Sequence, residues 1–126
     1  QMAAGEYDAL LAEATKADVI VLAAFVKRAA GKGTVALPER QAEFVRRLVS
    51  SGRPVAVVAF SGPYLVRQFP EATAFMVAYG IEDVAQRAAA RVLFGEAPAR
   101  GRLPVTVPGL FEAGAGVQTK PKGSQR

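Results

Sequence analysis

Two nearly unbroken apolar runs constrain this chain more than any other feature. They are DVIVLAAFV at 18–26 and PVAVVAF at 54–60. A strand with one face in water alternates apolar and polar residues, and these do not. They read as strands buried on both faces, the signature of a central parallel sheet. Parallel strands need a crossover, and 38–50 supplies one. Pro38 suits a first helical turn, and Glu39 sits favourably against the helix dipole. Gln41, Phe44, Val45 and Leu48 share one face, Glu43 is spaced to pair with Arg47, and Ser51-Gly52 ends the helix.

The same alternation extends to both sides. A helix is expected over 6–16, with Leu10, Leu11 and Ala14 as its apolar stripe. A third strand is expected over 73–79, broken by Gly80. A helix over 82–94 follows, burying Ala85, Ala88, Ala89 and Val92, with Gly95 closing it. LPVTVP at 103–108 alternates like a strand but carries Pro104 and Pro108, which lack the N–H that a ladder needs, so it reads as an edge strand. The expected fold is an α/β layered sandwich. It has a mostly parallel sheet of about four strands, helices on both faces and a Pro-flanked edge strand at the C-terminal end. Residues 1–117 form one α/β domain, and 118–126 read as a flexible basic tail.

Composition excludes whole classes of chemistry. The 126 residues contain no cysteine and no histidine. A disulfide scaffold, a thiolate ligand or nucleophile, and a histidine base are therefore absent from the chain. The net charge is +5, but Lys120, Lys122 and Arg126 lie in the last seven residues, leaving +2 elsewhere. A basic tail of this kind is a solvated segment, and no nucleic-acid partner is expected. No apolar run reaches the roughly 20 residues of a membrane span, so no membrane partner is expected either. No signal peptide is seen at the start, and the compartment stays unassigned.

In open parallel sheets, ligands meet the carboxyl ends of the strands. The loops there are 27–36, 61–64 and 80–83. The first holds GKGT, but a phosphate loop requires Gly-Lys followed directly by Ser or Thr, and Gly33 follows Lys32. Glu82 and Asp83 fall where a helix start favours acids. Ser61 has no base in the chain and shapes the turn before Pro63. Tyr64 follows a Gly-Pro turn that presents an aromatic at a strand end. The candidate contacts, to a ligand or to another domain, are Lys27, Arg28, Lys32, Ser61 and Tyr64. No catalytic, cofactor-binding or metal-ligating residue is assigned, and no cofactor is expected. Three readings stay open on these residues: a portion of a larger enzyme, a free-standing flavodoxin-like module binding a small anion or nucleotide, and a protein-interaction domain.

Five segments in order resemble one family: ADVIVLAAF, VALPERQAEFVRRLVSSGRPVAVVAF, GPYLVRQFPEATAFMVAYG, AQRAAARVLFGEAPARGRLPVTVPG and GAGV. They look like the carboxyl-terminal domain of glycoside hydrolase family 3, nearest to its β-N-acetylglucosaminidase branch and its β-glucosidase relatives. The resemblance implies a partial carboxyl-terminal sandwich, lacking the family's first strands. It also implies an amino-terminal (β/α)8 barrel as partner, and in that barrel the catalytic groups of a retaining β-glycosidase. No motif transfers the acid/base role of the β-glucosidase branch to Glu71, Glu82, Glu96 or Glu112. The isolated chain is expected to be inactive, and a surface that would meet the barrel is expected to self-associate weakly.

Overall fold

The computed structural model describes residues 2–26 and 35–123. Helix α1 (Ala4–Ala14) leads to strand β1 (Ile20–Phe25), helix α2 (Glu39–Val49) and strand β2 (Val55–Phe60). A 3-10 helix (Pro63–Gln68), strand β3 (Ala74–Val77) and helix α3 (Asp83–Leu93) follow. The strands form one parallel sheet in the order β1-β2-β3. Ile20 lies opposite Val55 and Phe25 opposite Phe60, while Ala56 to Ala59 face Ala74 to Val77.

The period of 2 in β2 divides its side chains between two cores. Val55, Val57 and Ala59 pack with Ile20 and Ala24 against Ala42, Phe44, Val45 and Leu48 of α2, joined by Leu65 and Phe69. Tyr7, Leu11 and Ala14 of α1 close this side, with the Tyr7 and Phe44 rings 5.2 Å apart. Val58 and Phe60 point to the opposite side, where Ala89 of α3 meets them. Fully burying one such aliphatic side chain contributes about 1.5–3 kcal/mol, which makes these two cores the main source of stability.

The α/β reading, with its parallel sheet and helices on both faces, holds. Four details differ. Strand β1 is buried on one face only: Ile20 and Ala24 are inside, while Val21 and Phe25 on the other face are about half exposed, because α3 covers the sheet only around β2. In α2 it is Ala42, not Gln41, that joins the buried face. Arg47 bonds Asp8 of α1 at 2.8 Å and Arg46 reaches Glu39, so Glu43 is not Arg47's partner. In α3 only Ala89 is fully buried and Ala88 is exposed, because the helix covers only the part of the sheet around Val58 and Phe60.

The proline-flanked segment 103–108 adds no fourth strand to the sheet. It folds back on the residues that follow. Leu103 N–H donates to Ala115 O at 2.8 Å, and Gly114 N–H donates to Leu103 O at 2.7 Å. Val107, fully buried, bridges Phe111 in both directions across a turn that holds Gly109 at φ +80°. Pro104 and Pro108 have no N–H to give, and the N–H groups of Leu103 and Val107 are spent on this local clasp. Residues beyond Val117 are tied in as well. Ala99 N–H donates to Thr119 Oγ1 at 2.8 Å, and Lys122 N–H to Gly95 O at 2.7 Å.

Candidate functional site at the strand ends

Parallel pairing puts the carboxyl ends of all three strands on one edge of the domain. At the end of β2 the chain turns through Ser61 and Gly62 into the 3-10 helix, with Pro63 in its first turn. Ser61 is buried, and its hydroxyl donates only a long bond to Gly62 O at 3.5 Å. Its environment is that of a turn residue, as its lack of a base in the chain suggests. Leu65 and Val66 of the 3-10 helix are buried, and this fixes the neighbouring Tyr64 with its side chain partly outside, 40% exposed. Lys27, Arg28 and Lys32 lie outside the described residues.

Two residues beyond β3 stands a residue that the spacing of apolar positions does not single out. Tyr79 has φ +57°, the left-handed region, and no other non-glycine among the described residues has a positive φ. A side chain costs about 1–2 kcal/mol there. Such strain persists only where the surroundings impose it, and it gathers at functional positions. Tyr79 is 51% exposed. Desolvation of its buried part raises its hydroxyl pKa above the ordinary tyrosine value. Next to it, Glu82 folds its carboxylate over Gly80, occupying the place a Cβ would take. The sequence signal for this turn was Gly80 after an aromatic, which marks a break but not the strain before it.

The carboxylates at this edge are engaged locally. Asp83 pairs with Arg87 one turn on, at 2.7 Å, inside the first turn of α3. Glu82 is the N-terminal flank of that helix. Among the described residues no group of three or more acids or other donors is arranged to hold a metal ion. A shallow cleft of about 300 Å³ lies elsewhere, between α1 and α2, lined by Tyr7, Asp8, Arg40, Glu43, Phe44 and Arg47. It contains none of the strand-end residues, and its Asp8–Arg47 pair is an ordinary exposed ion pair.

A three-stranded parallel sheet with helices on both faces, its loops gathered beyond the strand carboxyl ends, is an α/β sandwich of the kind that presents one edge to a ligand or a neighbouring domain. The chain belongs to the glycosyl hydrolase family 3 C-terminal domain family, whose profile matches residues 4–122. A β-glucosidase from Listeria innocua, solved in complex with gluconolactone, has the same fold over 86% of this chain, with a TM-score of 0.71 and 24% identity. The matched portion is 16% of the length of that enzyme. No curated protein matches the chain.

Proposed function

We propose that the chain is a non-catalytic portion of the carboxyl-terminal domain of a family 3 glycosidase, working beside an amino-terminal (β/α)8 barrel. The observation that carries this reading is the family match over residues 4–122, nearly the whole chain. The parent reaction would be retaining hydrolysis of a terminal β-linked sugar, of the β-N-acetylhexosaminidase type. The similarity of the five ordered segments to that branch supports the sugar. The β-glucosidase neighbour supports a β-glycosidase parent. In this reading the strand-end edge, with Ser61, Tyr64 and the basic residues Lys27, Arg28 and Lys32, faces the barrel. Domain interfaces of about 600–1,500 Å² with a polar share suit such a mixture, and bared of its barrel the edge would self-associate weakly.

The sugar is tested on the full-length parent enzyme with two aryl substrates, the N-acetyl-β-glucosaminide and the β-glucoside. We expect at least about tenfold higher kcat/KM for the former, a difference of 1.4 kcal/mol in transition-state binding. Preference for the glucoside would overturn the hexosaminidase assignment and leave the family membership intact.

A further inference from the structure

The cleft between α1 and α2 lies away from the strand ends, and its charges are matched only in part. On α2, Arg40, Glu43, Phe44 and Arg47 follow the i, i+3, i+4, i+7 spacing of one helix face, and this face meets Tyr7 and Asp8 of α1. The Tyr7 and Phe44 rings lie 5.2 Å apart with their planes tilted by 44°, so they give the cleft an aromatic wall. Arg47 donates to Asp8 at 2.8 Å, and elsewhere on α2 Arg46 holds Glu39. Arg40 and Glu43 have no ion-pair partner among the described residues. Both are exposed, they stand one turn apart, and they do not pair with each other.

The unmatched charges define what the cleft accepts. Asp8 and Arg47 neutralise each other, which leaves one guanidinium and one carboxylate beside two aromatic rings, their Cβ atoms about 5–6 Å apart. A simple anion would meet Glu43 as well as Arg40, and a simple cation would meet Arg40 as well as Glu43. A neutral apolar molecule would desolvate both charges and pair neither. A zwitterion satisfies both. Its carboxylate accepts from the forked N–H groups of Arg40, and its ammonium donates to Glu43. The volume is about 300 Å³, at the lower end of small-molecule sites, so the ligand is one residue in size rather than a peptide or a sugar chain.

We propose that the cleft between α1 and α2 binds a free α-amino acid with an apolar or aromatic side chain. Arg40 takes its carboxylate, Glu43 its ammonium, and Tyr7 and Phe44 its side chain. Helix α1 has no fully buried residue and meets α2 through the Tyr7–Phe44 and Asp8–Arg47 contacts, so an occupied cleft also fastens α1 to the domain. The site is separate from the strand-end edge, and it stands whatever sugar the parent enzyme cleaves.

The test titrates the full chain with L-phenylalanine and follows its amide resonances and amide exchange. Saturable shifts should appear at Tyr7, Asp8, Phe44 and Arg47, with slower exchange along α1 and no change at Tyr64 or Tyr79. Two further probes each lack one charge: L-phenylalanine amide has no carboxylate, and N-acetyl-L-phenylalanine has no ammonium. Each should bind at least about tenfold more weakly, the loss of one charge-assisted contact. Arg40→Gln should weaken L-phenylalanine by a similar factor and no longer distinguish it from the amide, while Arg40→Lys keeps the charge and retains binding. Glu43→Gln should no longer distinguish L-phenylalanine from its N-acetyl form. Both residues are exposed, so these variants should fold as the parent chain does. Should one fail to fold, the three probes on the unaltered chain still decide. Absence of saturable shifts, equal binding of all three probes, or shifts centred on the strand ends would each overturn the proposal. So would the same response to acetate or ammonium alone.

Discussion

Tyr79, two residues beyond β3, holds the left-handed backbone that glycine or asparagine adopts more readily. Replacing it by asparagine should relieve strain and lose little packing, since half the side chain is outside. We expect Tyr79→Asn to raise the melting midpoint by a few degrees, about 0.5–1 kcal/mol, in calorimetry. A fall would show that the aromatic ring, not the backbone, dominates this position. Thr73 presents the opposite case. Its Oγ1 accepts the Val55 N–H at 3.1 Å, at the start of β2 and just before β3 begins. Thr73→Val keeps the shape and removes the acceptor, so it should cost about 1 kcal/mol in denaturant unfolding. An unchanged midpoint would mean that water replaces the hydroxyl there.

Among the elements, the short 3-10 helix carries more weight than its length suggests. Leu65 is fully buried, and Phe69 just beyond the helix is nearly so; both join the core under α2. Leu65→Ala should cost about 2–5 kcal/mol, whereas Val84→Ala on the exposed face of α3 should stay within about 0.5 kcal/mol. Urea unfolding of the two variants checks both; equal costs would contradict this assignment of the core. The apolar runs made β1 and β2 legible in the sequence as strands; β2 is buried on both faces, whereas β1 leaves Val21 and Phe25 about half exposed, so its run overstated its burial. Gly95 was legible too. At φ +73° it ends α3, with its own N–H on Val92 O and the Glu96 N–H on Arg91 O, the bonds of a Schellman turn. LPVTVP misled because alternation records which side chains face inward, and says nothing of which backbone groups have partners. The candidate site was legible only in part. Tyr64 follows from its Gly-Pro turn, but the strain at Tyr79 comes from how β3 meets α3, and no local pattern encodes that.

At the scale of the whole molecule, the chain is a sheet with two sides covered unequally and a C-terminal segment folded on itself. The bonds from Thr119 and Lys122 to the loop after α3 give the end of the chain a structural part. Deleting residues 119–126 should lower the melting midpoint by about 4 °C, near 1 kcal/mol for a domain of this size. An unchanged midpoint would show that these bonds exchange freely with water. The larger consequence concerns activity. Among the described residues Asp8, Glu39 and Asp83 are engaged by arginines, and Glu82 is folded over Gly80. Under the proposed function, the chemistry of the parent enzyme lies in its barrel. The direct measurement is release of the aryl group from an N-acetyl-β-glucosaminide and from a β-glucoside by the purified chain alone. The account predicts no turnover above the uncatalysed rate with either substrate. Turnover that disappears on replacing Glu71, Glu82, Glu96 or Glu112 by glutamine would contradict it.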